Sequence, residues 1–108
     1  MMDSDIYQLH ADMCKVFSNA TRLKLLDLLR DGKGHSVSEL QKSTGLGQAN
    51  LSQHLGIMRQ RGILMHERDG RNVLYRISNP RITEAFDIIR SVLADSIKAR
   101  ERTLCKAR

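Results

Sequence analysis

The chain has 108 residues, 41% of them hydrophobic, with a formal net charge of +6 and an isoelectric point of about 9.8. This is enough for one modest core. No apolar run approaches the roughly 18 residues of a membrane span, so the basic balance points to a polyanion and not to a bilayer interior. Aromatic residues are 4% of the chain and Trp is absent, which leaves few platforms for splayed single-stranded bases and favours duplex DNA. The start, MMDSD, is acidic and lacks the basic and apolar regions of a signal peptide. Two cysteines, Cys14 and Cys105, are too few for a disulfide scaffold. The expectation is a cytoplasmic protein with no membrane partner.

Ser4 is placed to cap a first helix over 4–17, with Ile6, Leu9, Met13, Val16 and Phe17 as its apolar side. That much apolar surface so early in a small domain calls for a core or a second subunit to lie against. Ser18 or Asn19 offers the cap of a second helix, ATRLKLLDLLR, with Gly32 as its C′ residue. Leu23, Leu25, Leu26, Leu28 and Leu29 cover more than half its circumference, so it reads as the central core helix. Arg22, Lys24 and Arg30 are expected on its exposed side. A loop over 31–35 follows.

Ser36 and Glu39 have the spacing of a capping box at the start of a short helix, with Val37 and Leu40 as the buried pair. Gly45 ends it, and the turn Thr44-Gly45-Leu46-Gly47 leads into a second short helix over 47–62. Two short helices joined by a Gly-containing turn form a helix-turn-helix, here over 36–62, with Leu40 and Leu46 buried beneath the turn. Leu51, Leu55 and Met58 share one stripe of the second helix; Ala49, Gln53 and Gln60 point the other way, with Asn50 beside them. The outward side carries amides and no acidic residue, and Ile57 is its one large apolar member.

From Ile63 the period changes. ILMHER and NVLYRI flank Asp69-Gly70, a hairpin signal in which Leu64 would face Tyr75 and His66 would face Val73. This hairpin, 63–77, follows the helix-turn-helix directly and reads as a wing. Asn79 then caps a last helix over 80–100, with Pro80 at N1. Ile82, Ala85, Phe86, Ile89, Val92, Leu93 and Ile97 recur at three- and four-residue steps. A core already served by three helices has little need of so long a stripe, so this helix and the first are expected to pack against a second copy. The tail KARERTLCKAR is expected to fray.

The segments FSNATRLKLLDLL (17–29), SVSELQKSTGLGQANLSQHLGIMRQRGIL (36–64) and RDGRNVLYRI (68–77) resemble the ArsR/SmtB family of winged-helix repressors. The fold expected is mainly α with a two-stranded β-hairpin: a single winged helix-turn-helix domain over 1–108, in the order α-α-α-α-β-β-α. The resemblance implies a homodimer built on the first and last helices, an inverted-repeat operator overlapping a promoter, and release from DNA by an inducer.

The residues give the same mechanism from chemistry. A two-fold dimer puts two recognition helices into successive major grooves. Gln48, Ala49, Asn50 and Gln53 are the candidates for base edges, amides to adenine and the Ala methyl to thymine. Ser52, His54 and Thr44 suit phosphates. Arg68, Arg71 and Asn72 supply the wing, and Lys42, Arg59 and Arg61 extend the positive face. For any single Arg or Lys the plain alternative is a solvated surface charge.

The sensor is less legible. The family's thiolate site has a Cys-x-Cys where this chain has Ser36-Val37-Ser38. Its other metal site alternates Asp, His, His and Glu along the last helix, which here offers Asp87, Asp95 and Glu101 but no His. Carboxylates alone are poor zinc or nickel ligands, so no metal cofactor is required. Cys14 and Cys105 remain as a candidate redox pair, and His10, Cys14 and Cys105 as a weaker metal option. The plain alternative makes Cys14 a small buried hydrophobe and Cys105 an exposed thiol.

An enzyme would need a phosphate loop, an HExxH helix or a nucleophile with its base. The histidines, His10, His35, His54 and His66, are scattered over different elements, and none of these motifs is present. The remaining rival is a winged helix used for protein contact, which would want an apolar outward face on the 47–62 helix. With no activation domain in view, steric blocking of a promoter is the simpler expectation.

Overall fold

The computed structural model describes residues 3–106. The elements are α1 (Asp3–Phe17), α2 (Ala20–Leu28), β1 (His35–Ser36), α3 (Val37–Thr44), α4 (Gln48–Gln60), β2 (Leu64–Asp69), β3 (Asn72–Ile77) and α5 (Arg81–Lys106). The first helix already includes Ser4, so the residue expected to cap it is helical. Asn19, not Ser18, caps α2: its side chain accepts from the Arg22 amide at 3.0 Å. The cap at the other end is Leu29, and Gly32, with φ of 77°, lies in the turn beyond it, not at C′.

Ser36 caps α3 as its spacing predicts. Its hydroxyl accepts from the Glu39 amide at 3.2 Å. The return half of the box differs, because the Glu39 carboxylate meets the Ser36 hydroxyl at 3.4 Å and His35 Nδ1 at 3.3 Å. On its other side His35 Nε2 lies 3.0 Å from Asp31. The Lys33 amide, then His35, hold the Asp31 carboxyl below its usual range.

β1 is absent from the sequence reading. Its two residues extend the hairpin to a three-stranded antiparallel sheet in the order β1-β3-β2. The hairpin register is two residues away from the expected one: Leu64 faces Ile77, His66 faces Tyr75, and Asp69 faces Asn72. The turn centre is therefore Gly70-Arg71. Only Gly70 has positive φ, 63°, the pattern of a type II′ turn. A slip of two leaves every side chain on its intended face, so Leu64 and Ile77 both still reach the core.

The core joins α2, α3, α4 and the foot of the wing. Leu25, Leu26, Leu29, Leu40, Leu51, Leu55, Met58, Ile63 and Leu64 are all essentially inaccessible. Leu46 is only half-buried beneath the turn. α5 docks by Phe86, whose ring meets that of Phe17 edge-on at 4.8 Å. The tail expected to fray is helical through Lys106. Beyond Phe86, α5 leaves Ile88, Ile89, Val92, Leu93, Ile97 and Leu104 exposed, and α1 leaves Ile6, Tyr7, Leu9 and Met13 exposed. Among the described residues no helix is long and apolar enough to cross a membrane.

Candidate nucleic-acid interface

α4 is pinned from beneath by Leu51, Leu55 and Met58, each 0% exposed. That leaves Gln48, Ala49, Asn50, Ser52, Gln53, Arg59, Gln60 and Arg61 in solvent. Ile57 does not join them: it is half-buried and packs against the core. The exposed face is thus entirely amide, small or basic. Gly47 stands at the N-cap without a side-chain bond, so the first amides of the helix have no side-chain partner there.

Gly45, with φ of 74°, turns the chain between α3 and α4, a left-handed conformation that costs an ordinary residue about 1–2 kcal/mol. Beside it, the Thr44 hydroxyl donates to the Leu40 carbonyl at 2.7 Å and accepts from the Leu46 amide at 3.2 Å. Its polar capacity is spent on the turn, which weakens its candidacy for a phosphate. Lys42 on α3 is exposed, as are Arg68, Arg71 and Asn72 at the tip of the wing. Among the described residues none of Lys42, Arg59, Arg61, Arg68 or Arg71 is paired with a carboxylate, whereas Arg30 and Arg90 are. These five cations lie on the helix-turn-helix and wing; Lys24 on α2 and Arg81, Lys98, Arg100 and Arg102 on α5 are likewise without a carboxylate partner among the described residues.

Residues 19–65 match the family described as bacterial regulatory protein, arsR family. The chain is 36% identical to the HTH-type transcriptional regulator Rv0081 of Mycobacterium tuberculosis, over 96% of this chain and 91% of that one. The chain belongs to the arsR family. The crystal structure of Rv0081 superposes on this regulator with a TM-score of 0.80, covering 88% of this chain and 95% of the other. The homodimeric winged helix-turn-helix DNA-binding domain Mb0332 of Mycobacterium bovis gives a TM-score of 0.75 at 26% identity, covering 88% of each chain. A biofilm growth-associated repressor of Xylella fastidiosa is 31% identical over 82% of this chain and 76% of its own. This arsR-family chain is thus a transcriptional regulator with a winged helix-turn-helix fold.

Two of its side chains are not where the sequence put them. Arg22 is half-buried, not exposed. Its Nε donates to the Val16 carbonyl at 2.7 Å, and one terminal nitrogen lies 3.4 Å from His54 Nδ1. His54 is itself half-buried and faces that guanidinium, so it is not a free phosphate ligand on the open face of α4. Burial, then the charge of Arg22, lowers the His54 pKa from its usual 6.5. No local pattern announces a contact between residues 32 positions apart.

Cys14 and Cys105 are both exposed, so Cys14 is not the buried hydrophobe of the plain alternative. Cys14 and His10 line a groove of about 510 Å³ between α1 and the start of α5, facing Ile82, Phe86 and Ile89. Cys105 lies sixteen residues beyond Ile89 on the same helix, an axial rise of about 24 Å. A disulfide needs Cα atoms within about 7 Å, so a bridge within one chain is excluded and any bridge must join two protomers. The metal donors fit no better. Ser36 and Ser38 replace thiolates, Asp87 is already held by Arg30, and among the described residues no group of three or more His, Cys, Asp or Glu side chains is arranged to hold a metal ion.

Proposed function

We propose that this regulator is a homodimer that reads an inverted-repeat operator with two copies of α4 and represses by occupying a promoter. The observation that carries the reading is the acid-free amide face of α4 flanked by unpaired cations, with exposed apolar faces on α1 and α5. The homodimeric DNA-binding relative and the named repressor support it. Gln48, Ala49, Asn50 and Gln53 face base edges; Ser52, Lys42, Arg59, Arg61, Arg68, Arg71 and Asn72 hold phosphates or the minor groove. The protein works in the cytoplasm, without enzymatic activity and without a resident metal. With Ile57 packed inward, the rival protein-contact reading has no apolar anchor on that face.

Selection of operators from random duplex DNA with the purified protein tests the reading. The expected product is an inverted repeat with half-sites about 10 base pairs apart. Enrichment of a single half-site, or of no sequence, would overturn it.

Release rests on Cys14 and Cys105, exposed thiols on the two dimer helices. An external oxidant joining them between protomers would change how far apart the two α4 helices sit. Operator affinity of the reduced and oxidised forms, repeated with Cys14→Ser, tests this. Equal affinities throughout would dismiss it.

A further inference from the structure

Among the described residues, Arg22 ties the recognition helix to a helix of the expected dimer layer by hydrogen bonds. Its Nε donates to the Val16 carbonyl at 2.7 Å and a terminal nitrogen reaches the Lys15 carbonyl at 3.5 Å. Both carbonyls belong to the last turn of α1, beyond the reach of the helix's own amides; the Lys15 carbonyl also accepts from the Ser18 hydroxyl at 2.8 Å. The other terminal nitrogen lies 3.4 Å from His54 Nδ1, in the middle of α4. Arg22 also sits in the first turn of α2, and its own amide is bonded to the Asn19 cap. Three helices therefore meet at one guanidinium. A planar group with five donors in a fixed fork can serve two carbonyls and an imidazole at once; an ammonium offers three rotatable donors on a flexible stem. With Nδ1 accepting from Arg22, the imidazole is neutral and carries its proton on Nε2.

We propose that Arg22 is a positioning residue: by tying the end of α1 to His54 it sets the angle between the dimer layer and α4, and so the half-site spacing the dimer accepts. This rests on the dimeric operator reading above. Each base pair inserted between half-sites turns one of them by roughly 35° about the duplex axis, so a dimer with rigidly held α4 helices must discriminate sharply between spacings. A dimer with loosened helices tolerates them. Gln53, the main candidate for a base edge, precedes His54 directly in α4, so movement of His54 carries the reading residue with it.

The test uses the full chain and a set of duplexes built on the selected operator, with the spacer shortened or lengthened by one and two base pairs. Wild type, Arg22→Gln and Arg22→Lys are compared for affinity at each spacing and for salt dependence. The expected result is that both variants narrow the ratio between native and shifted spacing by about fivefold or more. Their half-site sequence preference and salt slope should stay as in the wild type. Recovery of wild-type spacing selectivity in Arg22→Lys, or a salt slope reduced by about one in Arg22→Gln, would make Arg22 a phosphate contact and overturn the proposal. Unchanged spacing selectivity in both variants would leave it only a helix cap and also overturn it. Urea unfolding is read first; if Arg22→Gln does not fold, Arg22→Lys carries the comparison. A wild type with no spacing preference would sink the dimeric reading together with this one, whereas failure of the variants alone sinks only the role of Arg22.

Discussion

Arg30, in the turn that follows α2, donates to both carboxylate oxygens of Asp87 on α5, at 2.9 and 2.8 Å. Three residues away in both segments the charges are exchanged: Arg90 on α5 donates to Asp27 on α2 at 2.9 Å. The three-residue step puts Asp87 and Arg90 on one face of α5. Together with Phe86 in the core, the crossed pairs fix which side of α5 faces α2, and so which side is left outward. They also occupy Asp87, the first carboxylate a metal on α5 would need. Both pairs are roughly half-exposed, where ion pairs contribute about 0–1 kcal/mol. Urea unfolding of Arg30→Gln, Asp87→Asn and the double variant should therefore give a coupling of about 0.2–1 kcal/mol. A coupling of several kcal/mol would mean the pair is shielded in the assembled protein.

The outward side of α5 carries Ile88, Ile89, Val92 and Leu93, each more than half exposed, a contiguous apolar patch of the kind that marks an interface. Glutamate in place of Val92 or Leu93 puts a charge opposite its own copy in a two-fold interface. Sedimentation should show monomers, with operator affinity reduced by about 100-fold or more, because the second half-site no longer binds within the same particle. A dimer of unchanged stability would place the interface elsewhere.

The helix-turn-helix was legible because its signals are local: Ser36 and Glu39 three residues apart, Gly45 at the turn, and Leu51, Leu55 and Met58 on one stripe. The wing was legible from Asp69-Gly70, but not its register, since composition does not say which two residues form the turn centre. A slip of two is invisible to an alternating pattern. β1 exists only because His35 and Ser36 pair with Tyr75 and Leu74 on the edge of β3 opposite β2; two residues have no period to read. The end of α5 was misread because KARERTLCK is polar, although its residues are good helix formers. Arg22 looked like surface because its partners, Val16 and His54, lie on other helices.

Gly56 interrupts α4, and a Cβ built there meets nothing within 4 Å. Gly56→Ala should therefore stabilise the protein by about 1 kcal/mol, raising Tm by roughly 4–8 °C. Gly45→Ala should lower stability by about 1–2 kcal/mol, because its φ of 74° is left-handed. The Gly56→Ala protein should keep wild-type operator affinity; a weaker complex would show that the helix backbone approaches DNA closely at that point.

His54 gives stability a pH dependence of known sign. Its pKa in the folded protein is lowered, first by burial and then by Arg22, so near and below pH 6.5 the unfolded chain binds more protons than the folded one. The contribution is fully present above about pH 6.5 and is lost as pH falls through the folded value. Urea midpoints at pH 7.5 and 5.5 should drop less in His54→Gln than in the wild type. An equal drop would place the acid sensitivity on other groups.

Gln53 and Arg71 separate the two kinds of contact the interface makes. Gln53 is exposed on α4 between Ser52 and His54, with an amide that can pair with one adenine edge; Arg71 is exposed at the turn centre of the wing, with no carboxylate partner among the described residues. Loss of a base contact costs affinity at one position, so Gln53→Ala should weaken the cognate operator by about 1–3 kcal/mol and relax preference at a single base pair of each half-site. Its salt slope should be unchanged, because no phosphate contact has gone. Arg71→Ala should weaken cognate and non-cognate duplexes alike and reduce the salt slope by about one per protomer. Fluorescence anisotropy at several salt concentrations, on the cognate operator and on single-base variants, measures both. A Gln53→Ala protein with wild-type affinity and wild-type base preference would remove α4 as the reading helix, whatever Arg71→Ala does.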